Sequence, residues 1–138
     1  MTAKDYLSQG RFLDARISSK IRQVEQLNQL ATRATSALTG MPHSPNKATS
    51  KMADVIGKMV DLQAEINRDI DELVELKHGI GEAIKAVENM EYQTLLEKRY
   101  LCFLPWEKIA VDMGYGIDNI FKLHKRALSS VVVPESVQ

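Results

Sequence analysis

Cysteine is nearly missing: Cys102 stands alone among 138 residues. A single thiol excludes an internal disulfide and a cysteine-built zinc site. The histidines His43, His78 and His124 show no HxxxH or HxH spacing, so no metal ligands are expected. The patterns G-x-x-x-x-G-K-[ST], G-x-G-x-x-G and G-x-S-x-G are absent as well. With them go the phosphate-cradling loops and the nucleophile elbow they encode. Glu97 and Glu107 have no carboxylate partner at catalytic spacing. No catalytic residue and no cofactor is therefore expected, and the chain does not read as an enzyme. No apolar run approaches about 18 residues, so no membrane-spanning helix is expected. The opening MTAKDYLSQGRFLDAR lacks the apolar stretch of a secretory signal. These absences together point to a soluble intracellular protein. Aromatics make up only 6% of residues while 44% are hydrophobic. Leu, Ile, Val, Met and Ala must then fill the core, which favours helices.

Charge is balanced overall and uneven along the chain. Lys plus Arg and Asp plus Glu are each 18. Residues 1–40 hold six basic and three acidic side chains, a net of +3. Residues 51–90 hold five and nine, a net of −4, and residues 91–138 hold six of each. The first two stretches are electrostatic complements, which suits two helices lying side by side.

Periodicity says the same. Leu13, Ile17, Ile21, Val24, Leu27, Ala31, Ala34 and Leu38 recur at gaps of three or four, one stripe of a helix over about 4–38. A break is expected at Thr39 to Asn46, where Gly40 stops the helix and Pro42 and Pro45 block its continuation. Thr49 or Ser50 then caps a second helix, expected over about 50–90. Its heptad runs through Met52, Met59, Ile66, Leu73, Ile80 and Val87. Val55, Ile56, Leu62, Ile70, Leu76, Ala83 and Ile84 fill adjoining positions, and Gln63, Asp69 and Lys77 interrupt the wider seam. Such a repeat asks for a partner helix, most simply the first helix folded back antiparallel. Gly79 and Gly81 flank Ile80 and mark either a bend or a close backbone approach. Flanking apolar positions left over on the rod point to a homo-oligomer, a dimer first.

Residues 91–133 read as a separate helical domain. Three short helices are expected at Glu91–Leu101, from Pro105 through Trp106–Met113, and at Ile117 to about Val131. Only Gly114-Tyr115-Gly116 links the last two, a turn of helix-turn-helix length. With Trp106 as position one, positions four, eight, ten, fifteen and eighteen must face the core. They are Ile109, Met113, Tyr115, Ile120 and Leu123, all apolar or aromatic. Position five must be small where the helices touch, and is Ala110. Position nine must allow a positive φ, and is Gly114. Trp106, Tyr100 and Cys102 are expected in the core, and His124 as a partly buried helix histidine. The apolar Val131-Val132-Val133-Pro134 is expected to dock on the rod, and residues 134–138 to form a frayed tail.

The stretch LLEKRYLCFLPWEKIAVDMGYGIDNIFKLHKRAL resembles region 4 of bacterial sigma factors. It is still more similar to small phage and prophage proteins with sigma-like C-termini, such as the autolysin regulatory protein family. Arg99-Tyr100-Leu101, Trp106-Glu107-Lys108-Ile109-Ala110, Gly114-Tyr115 and Leu123-His124-Lys125-Arg126-Ala127-Leu128 carry the likeness. It is sharp over about 40 residues and looser elsewhere, through Asp5-Tyr6-Leu7 and the helical pair. Gly116 departs from the Ser or Thr usual at the cap of the third helix, and Asp118 from the basic residue common early in it.

The resemblance implies a phage-type transcriptional regulator in the cytoplasm of a bacterial host. Its third helix would bind double-stranded DNA, with RNA polymerase as a second partner. The outward face of that helix holds Asp118, Phe121, Lys122 and Lys125, with Asn119 at its edge. Asn suits adenine, Lys suits guanine or phosphate, Asp suits cytosine, and Phe121 suits a thymine methyl. Arg126 and Lys108 are placed for phosphate. Phe121 is equally suited to packing against the hairpin or a second copy. A protein-interaction module acting on RNA polymerase or another regulator is the alternative. A DNA-packaging adaptor, commonly a ring, shares the same plan.

Overall fold

The computed structural model describes residues 1–38 and 45–137, with the backbone alone for residues 34–38, 45–49 and 137. Among the described residues the chain is all-α. The helices are α1 (Ala3–Leu38), α2 (Pro45–Lys85), α3 (Met90–Tyr100), α4 (Trp106–Met113) and α5 (Ile117–Ser129), followed by a 3-10 turn at Glu135–Val137. No helix among them is long and apolar enough to cross a membrane. Of the break expected at Thr39 to Asn46, residues 39–44 lie outside the described residues, while Pro45 and Asn46 already belong to α2.

Helix α2 begins at Pro45, five residues before the expected start at residue 50. Proline suits a first helical position because its φ is fixed and its missing N–H would have no partner there. Thr49 and Ser50 therefore lie inside the helix and do not cap it. The helix also ends early, at Lys85, and Val87 lies beyond it. Two polar side chains build that corner. Asn89 caps α3, its Oδ1 accepting from the backbone N–H groups of Glu91 and Tyr92 at 2.9 and 3.1 Å. The Gln93 amide donates to the carbonyls of Lys85 and Val87 at 3.0 and 2.5 Å. The Lys85 carbonyl, at the end of α2, is one of those a helix terminus leaves without an intrahelical partner.

The chain divides into two compact units, Met1–Asp14 with Glu72–Gln138, and Ala15–Asp71. The division thus falls within α1 and α2 rather than at the expected boundary near residue 90.

In the unit of residues 15–71, α1 and α2 run antiparallel. Gln23, Leu27 and Leu30 line one groove with Lys58, Asp61 and Leu62, while Lys20 meets Asp69 further along. Ile17 and Ile66 are buried along this seam. The Lys20 ammonium lies 2.6 Å from the Asp69 carboxylate and 3.9 Å from Glu65, and Lys20 and Asp69 are both largely covered. Asp69, which breaks the apolar repeat in sequence, is thus neutralised by a cation from the opposite helix. A covered ion pair of this kind fixes register more than it adds stability.

In the unit of residues 1–14 and 72–138, one core gathers Leu7, Ile80, Ile84, Leu95, Leu96, Ile109 and Ile120, each fully buried. Gly79 is a close-approach glycine. A Cβ there would stand 2.9 Å from the Tyr6 hydroxyl, whereas one on Gly81 would meet nothing within 4 Å. Val133 joins this core, and Glu135–Val137 forms a 3-10 turn instead of fraying. Cys102, expected in the core, is exposed. It lies between α3 and α4, where Leu101, Phe103 and Leu104 take the covered positions instead. Phe103 adopts φ 57°, a left-handed conformation that a bulky side chain rarely takes. Its ring carries the Lys77 ammonium at 4.6 Å, and a Cβ on Gly10 would meet it at 3.6 Å.

Candidate nucleic-acid interface

Helices α4 and α5 form the bihelical unit that the spacing predicts, with α3 packed against both. Gly114 ends α4 at φ 74°, ψ 27°. The N–H of Gly114 donates to the carbonyl of Val111 at 3.2 Å, and that of Tyr115 to the carbonyl of Ala110 at 2.9 Å. This pair of bonds is the glycine-dependent stop that reverses a chain at a helix end. Ile109, Ala110, Ile120 and Leu123 are buried, as their positions in the unit require. Met113 is partly buried against the same core.

Tyr115 does not follow. It is exposed, and its hydroxyl donates to Glu91 at the start of α3. A phenol needs a polar partner, and Glu91 holds this one at the rim.

Gly116 precedes α5 in an extended conformation, with no side chain capping the helix. Asp118 lies in the first turn. It is therefore not the cap residue itself, but its charge is well placed against the positive end of the helix dipole.

The face of α5 turned away from the core holds Asp118, Lys122 and Lys125, all exposed. Asn119, Lys122 and Arg126 line a shallow groove with Glu91 and Tyr115. Among the described residues no acidic side chain forms an ion pair with Lys122, Lys125 or Arg126. Lys108 differs. Its ammonium is 3.0 Å from Asp112, which also receives Lys98 at 3.7 Å. The hydrogen bond from Lys108 holds the Asp112 carboxyl below the usual carboxylate range. Six of the seven expected contact residues therefore share α5, while Lys108 is engaged on α4.

Phe121 is 46% exposed. Its ring meets the edge of Trp106 with centroids 5.5 Å apart. Trp106 is only half-buried, and it sits at the centre of a stack. Arg99 lies 4.4 Å over its ring, and His124 is 4.5 Å away on an edge. His124 in turn shares a 2.6 Å hydrogen bond with the buried Tyr100 hydroxyl. Burial, reinforced by the charges of Lys4 and Arg99, pushes the His124 pKa down to about 4. Burial also raises Tyr100 above its ordinary value. Phenol and imidazole thus both stay neutral at physiological pH, and His124 supplies no charge for phosphate.

Sequence reasoning missed the Tyr115–Glu91 rim and the Arg99 stack on Trp106. The only advance signal was an aromatic at the first position of the bihelix with Arg-Tyr upstream. Among the described residues no group of three His, Cys, Asp or Glu could hold a metal ion. Comparison with family models, curated proteins and solved structures returns no match.

Proposed function

We propose that this chain is a DNA-binding transcriptional regulator of the phage type, with α5 as the helix that enters the major groove. The observation that carries this reading is the outward face of α5, where Lys122, Lys125 and Arg126 form no ion pair with an acidic side chain among the described residues. Asp118, Asn119 and Phe121 stand beside them for base edges, and the cations meet phosphate or guanine. Lys108, held by Asp112, is a weaker phosphate contact than its charge suggests. Three cations against Asp118 give the helix a net of +2, modest for a nucleic-acid binder. Two copies double it, so the reading includes a homo-oligomer that presents two α5 helices. RNA polymerase is the second partner, and the bacterial cytoplasm is the compartment.

The test is to incubate the protein with random fragments of phage and host genome at low salt and sequence what is retained. An enriched motif that disappears with Lys122→Glu/Lys125→Glu supports a sequence-reading regulator. Each lost phosphate contact should also lower the slope of log affinity against log salt by about 0.9. Retention without enrichment favours the packaging-adaptor reading.

One observation favours a second reading. Phe121 and Trp106 present an aromatic edge on a segment, residues 91–138, whose charges sum to zero. Aromatic anchors of this kind are enriched at protein interfaces. In that reading the domain grips RNA polymerase or another regulator. No retained DNA, together with loss of function in Phe121→Ala but not in Lys122→Glu/Lys125→Glu, selects it.

A further inference from the structure

Helix α2 carries a second heptad seam that α1 does not cover. Ile56, Val60, Gln63, Asn67, Ile70 and Val74 alternate at spacings of four and three, the signature of a coiled-coil face. They lie about a third of a turn round from the seam of Met59, Leu62, Ile66 and Asp69, which meets α1. Ile56 is 49% exposed, Val60 62%, Ile70 41% and Val74 62%, and Gln63 and Asn67 are exposed between them. Isolated apolar residues on a surface need no explanation, but a ladder in register along one helix does.

We propose that this face pairs with the same face of a second copy, running antiparallel about a two-fold axis level with residue 65. The ladder is its own partner when reversed. Val60 falls opposite Ile70, Ile56 opposite Val74, and Gln63 opposite Asn67. Apolar residues meet apolar ones on both sides of a central polar layer. In the single chain the Gln63 amide donates to the Asn67 side-chain oxygen at 3.3 Å. Across the axis the same two amides can complete each other, which penalises any slip that buries them against Val or Ile.

Two further features fit this orientation. Gly57 and Ala64 flank the seam, and a Cβ on Gly57 would meet nothing within 4 Å, so the backbones can approach closely. Asp61 of one copy falls towards Arg68 of the other, whereas a parallel pair would set Asp61 against Asp61 and Arg68 against Arg68. Further out, Asp54 falls towards Glu75, which confines the favourable overlap to the central turns. A parallel alignment would also place Ile56 and Ile70 at positions where isoleucine drives higher oligomers. The surface stands whether or not α5 reads DNA.

The test uses the full chain. Sedimentation equilibrium should give a dimer, and Val60→Glu/Ile70→Glu should halve the mass. Both positions face water, so the circular dichroism of the variant should be unchanged. Val60→Lys alone provides a milder second variant, expected to weaken association at least tenfold. Orientation is read by oxidation in a Cys102→Ser background. Ala64→Cys should form a disulfide-linked dimer, because residue 64 lies at the edge of the seam, next to the axis in both copies. Gly57→Cys should not, because residue 57 stands about two turns from the axis and far from its own counterpart. A monomeric wild-type chain overturns the proposal, as does a dimer indifferent to both charge variants. Efficient cross-linking at Gly57→Cys overturns the antiparallel register. DNA retention is measured on the same samples, so loss of the dimer and loss of DNA binding are scored separately.

Discussion

In the unit of residues 1–14 and 72–138, parts of five helices close over one core, and Leu7, Ile84, Leu95, Leu96, Ile109 and Ile120 have no exposed surface to speak of. In the unit of residues 15–71, two helices meet along one seam. Among its described residues only Ile17 and Ile66 are buried, and neither completely, while Ile21, Leu30, Ile56, Val60 and Ile70 are exposed. Residues 15–71 hold 22 hydrophobic residues of 57 and no aromatic ring, while the other unit holds 39 of 81 with all eight aromatics; the number of neighbours differs as well. A helix with one partner can cover one stripe, whereas a helix among several can cover most of its circumference. The polar groups follow the same division. Tyr100 and His124 satisfy each other inside the first unit, and Asp69 in the second is satisfied by a cation reaching across the seam.

The largest expected effect tests this contrast in burial. Leu96→Ala removes a fully covered side chain and should cost about 2–5 kcal/mol. Leu62→Ala, half-covered in the hairpin, should cost about 1 kcal/mol, because less apolar area returns to water. Urea unfolding with an unchanged m-value reads both, and equal losses would erase the distinction between the units.

Next in size is a pH effect confined to the first unit. An unfolded imidazole protonates near pH 6.5, whereas folded His124 does so at about 4. Between these values the unfolded chain binds more protons, so acid favours unfolding. The contribution is complete above about pH 6.5 and disappears as pH falls to about 4, at most about 3 kcal/mol. His124→Gln should flatten the stability profile in that window, and a variant with the wild-type slope would contradict the assignment.

The seam ion pair comes third. Lys20→Ala leaves a largely covered Asp69 without its cation and should cost about 1–3 kcal/mol. The double change Lys20→Met/Asp69→Leu should recover most of that loss, since two apolar side chains fit the repeat. A double variant as unstable as the single one would mean the pair does more than match charge.

The smallest effect is at the turn. A Cβ on Gly114 would meet nothing within 4 Å, but its φ is +74°. Gly114→Ala should therefore cost about 1 kcal/mol, through backbone conformation alone. A loss several times larger, measured by thermal melting, would point to a contact that the geometry does not contain.

The candidate interface was legible to an uneven degree. Asp118, Asn119, Phe121, Lys122, Lys125 and Arg126 share one short helix, so helical spacing alone groups them. Lys108 was not legible as an engaged residue: its i,i+4 neighbour Asp112 was visible, but the second cation, Lys98, comes from α3. Tyr115 matched an inward position by chemistry and turned outward because Glu91, distant in sequence, offers its hydroxyl a partner.

The amino-acid sequence by itself determined the helices, the antiparallel return of α2 and the glycine turn between α4 and α5. All three depend on local periodicity, local backbone freedom and matching stripes. Tertiary structure decided what depends on partners far along the chain. It gave Asp69 its cation, placed Gly79 against Tyr6, kept Cys102 at the surface and ended α2 at Lys85 under the Gln93 amide. Spacing records which face a side chain lies on. Only the fold determines what stands opposite it, and for a polar or half-buried group that neighbour sets the energy.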